Sequence, residues 1–204
     1  MRLGYNTNGF TSHALDDALE VIAEIGYRSV GLTLDHYALN PFAADCGAQV
    51  ARCRRRLESL DLTPVIETGA RFLLDPRRKH RPTLLEDDAA ARRVRIDFLE
   101  RAVDMASELG APAMSFWSGA GPEGASADAL DDRLVAALEP LAERAARRGV
   151  VLAFEPEPGM HVTSMGDFDR IRARVPHPAF RLTLDVGHAH LTETEGAAAT
   201  TEAA

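Results

Sequence analysis

What the chain lacks narrows its class before any motif is weighed. No apolar run approaches the roughly 18 residues that a membrane span needs. The opening MRLGYNTNGF has no signal-peptide core, so the expectation is a cytoplasmic protein without a membrane anchor. Cysteine is scarce: Cys46 and Cys53 are the only two, on one predicted helix, which suits reduced thiols better than a disulfide or a thiolate metal site. Lysine is nearly absent, Lys79 being the single one, a trait of composition. Positive charge is in deficit, and a net charge of −8 argues against nonspecific nucleic-acid binding. Neither G-x-G-x-x-G after the first strand nor G-x-x-x-x-G-K-[ST] occurs, so a doubly wound nucleotide-binding sheet lacks its usual signature.

What is present reads as one domain of 204 residues, 46% hydrophobic and 26% charged. Short β-like runs alternate with helical ones. The strands are predicted at Arg2–Asn6, Ser29–Leu34, Thr63–Glu67, Ala113–Trp117, Val150–Glu155 and Phe180–Asp185. The first helix follows Ser12 as candidate cap and closes at Gly26. Others are predicted at Ala44–Leu60, Glu86–Leu109, Ala127–Arg148 behind Ser126, and Asp167–Arg174. Short, apolar strands separated by helices have parallel-sheet character, buried on both faces. The predicted strand ends are Asn6, Asp35 with His36, Glu67, Trp117, Glu155 and Asp185, and all but Trp117 are polar. One mouth lined by all of them favours an α/β fold of the (β/α)8 TIM-barrel type, with about six βα units in this chain.

Glu155 in LAFEPEPGM and Asp185 in LTLDVGHAH are predicted on neighbouring strands, each just past the last apolar residue. Adjacent parallel strands lie about 4.8 Å apart, so the two carboxylates can share a divalent cation. Oxygen ligands with one imidazole suit Mn²⁺, Mg²⁺ or Co²⁺. The bland alternative is two carboxylates that cap turns and bind nothing. His188 can ligate the metal or bind a substrate hydroxyl, or simply sit at the surface. His190 reads as structural. Glu157 and His161 follow Glu155, in directions the intervening Pro156 obscures. The long third loop, Thr68–Leu85, carries DPRRKHRP, in which Arg77, Arg78, Lys79, His80 and Arg81 can neutralise a phosphate or carboxylate. Trp117 offers a ring to a sugar face, or packing. Glu67 joins this set as a strand-end carboxylate.

FEPEPG followed about thirty residues later by LDVGHAH resembles the sugar phosphate isomerase/epimerase group, the xylose isomerase-like TIM barrels. ALEVIAEIGYRSVGL and ASELGAPAMSFWSG share the likeness. The resemblance implies a metal-dependent isomerase or epimerase of a sugar or sugar phosphate, working by proton transfer through an ene-diolate. It implies Glu155 as base and metal ligand, Asp185 as metal ligand, and His188 against substrate, with Glu157, Trp117, Glu67, His80 and Lys79 around it. The family also holds its metal with a histidine on strand seven and a glutamate on strand eight, and nothing here matches those. The expectation is therefore a partial barrel over 1–190, with 191–204 a low-complexity, disordered tail, and with unpaired strand edges completed by a homo-oligomer or another chain. Two other readings stand beside it. One is an AP endonuclease-like phosphoesterase, disfavoured by acidic charge; the other is a non-catalytic partner-binding remnant.

Overall fold

A computed structural model describes residues 2–204. Six parallel strands form one sheet in the order β1-β2-β3-β4-β5-β6: Gly4–Asn6, Ser29–Thr33, Thr63–Glu67, Ala113–Phe116, Val151–Phe154 and Phe180–Leu182. Each strand is followed by helix: α1 Leu15–Ile25, α2 Cys46–Ser59, α3 Ala89–Leu109, α4 Ala127–Arg148, α5 Met165–Arg174 and α6 Val186–Thr192. β1 and β6 are the edges, as the unit count led one to expect, so the sheet is open. No helix among the described residues is long and apolar enough to cross a membrane.

The core lies between the sheet and its helices. Val30, Leu32, Ile66, Met114, Phe116, Leu152, Phe154 and Phe180 pack from the strands against Leu19, Ile22, Leu57, Phe98, Leu134, Leu138 and Phe168. Phe154 meets the rings of Phe116 at 5.2 Å and Phe180 at 5.6 Å, an edge-to-face geometry that aligns ring edge with π cloud. Burial on both faces holds for the central strands β4 and β5, where Ser115 and Ala153 are also buried. It fails at β1, whose Gly4 and Tyr5 are exposed because no strand covers that edge.

Several helix ends fall where their caps predict. α4 starts behind Ser126, whose hydroxyl accepts from Ala129 N, and ends at Gly149 in the left-handed region, φ 69°. Others differ. α1 begins at Leu15 behind Ala14 with no side-chain cap, so Ser12 does not cap it. The chain there is taken up by a 3-10 turn, Thr7–Phe10, capped by Asn6. α3 begins at Ala89 rather than Glu86, because the Glu86 carboxylate is engaged by Arg81 at 2.8 Å and Thr83 N at 3.0 Å while Asp88 caps the helix. The tail expected to be disordered is helical instead: α7, Gly196–Ala203, follows from a run of alanine, the strongest helix former. It buries none of its residues. Cys46 and Cys53 are free thiols, and burial pushes the Cys53 thiol up to about 12.

Candidate metal centre

Glu155 follows β5 directly, and its backbone N–H donates to Phe116 O at 2.8 Å, which extends the ladder to the sheet's carboxyl end. Asp185 lies three residues beyond β6 and caps α6. Its Oδ1 accepts from Gly187 N at 2.7 Å and His188 N at 3.0 Å. Capping therefore occupies one oxygen, and Oδ2 faces His188 Nε2 at 3.8 Å. The cap also turns the chain so that His188 swings back over the sheet, its Nδ1 3.5 Å from Glu155 Oε1. One ligand atom from each of Glu155, Asp185 and His188 lies within 4.8 Å of the others. His188 Nδ1 is buried and has no hydrogen-bond partner. Two carboxylates and a ring nitrogen converge without bonding one another, and the orphaned nitrogen would be satisfied by a cation. The set fits a hard or borderline divalent ion. A third donor beyond the expected carboxylate pair is thus in place.

The surroundings are acidic and poorly hydrated. Burial pushes the Glu155 carboxyl up to about 7, with His188 opposing and Glu157 and Asp185 adding to the rise. Burial pushes Glu67 up to about 7 as well, helped by the negative charge of Glu155, so the carboxyl at the end of β3 shares the mouth. Glu157 is half-buried and also raised, first by burial; His188, Asp185 and Lys79 are the charges it feels. Its backbone N–H donates to Val162 O at 3.1 Å, which closes the β5–α5 loop on itself.

The other expected residues divide. His80 stands on the β3–α3 loop, its Nδ1–H donating to Gly69 O at 2.7 Å and its ring edge-on to Trp117 at 5.4 Å. Trp117 is only 7% exposed, with the Arg95 guanidinium 5.1 Å above its ring. It is packing rather than an open face for a sugar, because the long third loop folds over it. Arg78 and Arg81 pair with Asp75 and Glu86. His161 donates to Asp131 at 2.6 Å and pins the β5–α5 loop to α4. His190 is exposed.

Three residues escape the sequence reading. Ser115 and Thr183 place their hydroxyls 2.9 Å apart, and Thr183 Oγ1 donates on to Ala153 O at 3.1 Å. Nothing in an apolar strand marks one serine as special. Arg95 is different: it is 2% exposed and repeats with Phe98, Leu99 and Ala102 at apolar spacing. A cation on the core stripe of a helix is a legible anomaly.

This architecture, parallel βα units with carboxylates gathered at the strand ends, defines a class. The profile of the xylose isomerase-like TIM barrel matches residues 19–204, and the chain belongs to that family. No curated protein sequence gives a significant match. Among solved structures, D-allulose 3-epimerase from Methylomonas sp. superposes with a TM-score of 0.77 at 20% identity, over 95% of this chain and 66% of that one. The 3-keto-D-glucoside 4-epimerase from E. coli gives 0.76 at 14% identity, over 95% and 72%. An AP endonuclease of family 2 from Brucella melitensis gives 0.74 at 19%, over 96% and 72%. At these identities the likeness is one of fold. The chain spans just under two thirds, 66%, of the length of the D-allulose 3-epimerase.

Proposed function

We propose that this chain is a metal-dependent isomerase or epimerase of a sugar or sugar phosphate, acting by proton transfer through an ene-diolate. The observation that carries the reading is the convergence of Glu155, Asp185 and His188 on one point, with His188 Nδ1 buried and unpartnered. Family membership and the sugar epimerases among its structural neighbours support it.

Glu155, Asp185 and His188 would hold the ion. A divalent cation there, Mn²⁺, Mg²⁺ or Co²⁺, supplies Lewis acidity toward a carbonyl and its neighbouring hydroxyl. The chain's own groups do the rest. The Glu155 carboxylate, ionised as it would be when holding the ion, takes the proton from the carbon beside the carbonyl and carries it back to the ene-diolate. Glu67 and Glu157 stand where substrate hydroxyls would need acceptors, with His188 alongside.

The test has two arms. Asp185→Ala and His188→Ala are each expected to weaken Mn²⁺ binding at least about tenfold, read by electron paramagnetic resonance of free Mn²⁺. Unchanged binding in both would remove the basis of the assignment. Incubation of the Mn²⁺-loaded chain with ketoses in D₂O should place deuterium on the carbon beside the carbonyl. Cleavage of abasic DNA without such exchange would turn the reading to the phosphoesterase instead.

A further inference from the structure

The β3–α3 loop overhangs the mouth, and its cations are not all neutralised. Arg78 bonds Asp75 at 2.7 Å and Arg81 bonds Glu86 at 2.8 Å. No ion pair among the described residues involves Arg71, Lys79 or Arg95. The loop is pinched at its base: His80 N donates to Arg71 O at 2.6 Å, and His80 Nδ1 to Gly69 O at 2.7 Å. The pinch sets Arg71 across from Lys79 and His80. Behind them the His80 ring stands edge-on to Trp117, and Arg95 lies over the same tryptophan, 2% exposed and with Nη1 lacking any hydrogen-bond partner.

The charges on this side act together. The His80 ring is held below its usual range first by burial, and Lys79, Arg95 and Arg71 each push it further down against the opposing bond to Gly69. Glu157, beyond β5, feels the Lys79 charge, the least of the influences on its carboxyl, and no ion pair joins them. The mouth is thus uneven: Glu155, Glu157 and Asp185 follow β5 and β6, whereas Arg71 and Lys79 follow β3, whose end also carries Glu67, in a chain whose net charge is −8. Arg95 is too buried to touch a ligand, but a fixed charge behind a thin aromatic layer is weakly screened.

We propose that Arg71 and Lys79, backed by the buried Arg95, form a subsite for an anionic substituent, phosphate or carboxylate, at the end of the substrate remote from the Glu155–Asp185–His188 cluster. The division of charge orients such a substrate. Its anion is repelled by the carboxylates and held by the cations, so its polyol end falls over the cluster. The inference rests on the isomerase reading of the same mouth, and it is tested apart from turnover.

Binding of inorganic phosphate, glycerol 3-phosphate and glycerate to the full, metal-free chain is measured by calorimetry at low ionic strength. The wild-type chain is expected to bind at least one of the three. The double variant Arg71→Ala/Lys79→Ala should bind it about tenfold more weakly or worse. Arg55→Ala, which removes one exposed charge from distant α2, should bind as wild type. Preference for the two phosphates over glycerate assigns a phosphate, and the reverse a carboxylate. Absence of all binding, an unchanged double variant, or equal weakening by Arg55→Ala overturns the subsite. Arg71 is partly exposed and Lys79 exposed, so the fold should survive, and circular dichroism checks this. Mn²⁺ is titrated into the same samples. Mn²⁺ binding without anion binding removes the subsite alone; anion binding without Mn²⁺ binding removes the isomerase reading alone.

Discussion

Glu67 and Glu155 are ordinary carboxylates in the unfolded chain, near 4.5, and both rise to about 7 in the fold, chiefly through burial. Between those values the folded state binds more protons than the unfolded one. Their contribution to stability is therefore fully present below about 4.5 and is lost as pH rises through about 7. For a group as enclosed as Glu67 the effect is on the order of 3 kcal/mol. Urea denaturation of the metal-free chain should give higher stability at pH 5 than at pH 8, and Glu67→Gln should flatten that difference. An unchanged slope in the variant would show that Glu67 ionises freely. At this scale the sequence singled out Glu155 and Asp185 as neighbouring strand-end carboxylates, because both interrupt apolar runs, and the fold brings them together with His188. The sequence could not show that Trp117 is covered, since covering depends on the fold of a loop thirty residues earlier. Nor could it pair His161 with Asp131, a contact between the β5–α5 loop and α4.

Elements with strong local punctuation were legible to the residue. α4 runs from Ala127 to Arg148, between Ser126 and Gly149, because a hydroxyl cap, early acids and late arginines all agree. Where a side chain had two uses, the reading slipped, as at Glu86, which serves Arg81 and Thr83 instead of opening α3. β6 is the informative case. The strand is only three residues, Phe180–Leu182, extended by Thr183 N–H donating to Phe154 O at 2.8 Å, so its position leans on the Phe180 ring, packed against Phe154 and Phe168 at 5.6 Å each. Phe180→Ala should cost roughly 3–5 kcal/mol and also weaken Mn²⁺ binding, because Asp185 hangs from the same strand. Ser126→Ala should cost about 1 kcal/mol and leave Mn²⁺ binding alone. Thermal melts with parallel Mn²⁺ titrations separate the two; equal loss of Mn²⁺ binding in both would mean that β6 does not set the centre.

The whole molecule is a sheet with two free edges. β1 carries Tyr5, 45% exposed, and follows Leu3 at 71%; beyond β6, Val186 is 56% and Leu191 75% exposed. Free ladder groups beside apolar side chains favour pairing with another chain. Size-exclusion chromatography across a concentration series should show a species larger than 22.1 kDa that grows with concentration. A monomer at all concentrations, with a single sharp melt, would mean the edges are blunted by their own loops. The openness was legible from the number of βα units, whereas which side chains line the edges was not, since exposure is a property of the assembled sheet.

The centre sits beside one of those edges, and its donors are graded in access. Asp185 is 42% exposed at the side chain, His188 28% and Glu155 17%. If the proposed centre takes a divalent ion, the outer carboxylate Asp185 would meet it first and the inner Glu155 last. An ion held there would leave by the same graded path, so EDTA should strip a Mn²⁺-loaded chain quickly and without unfolding it.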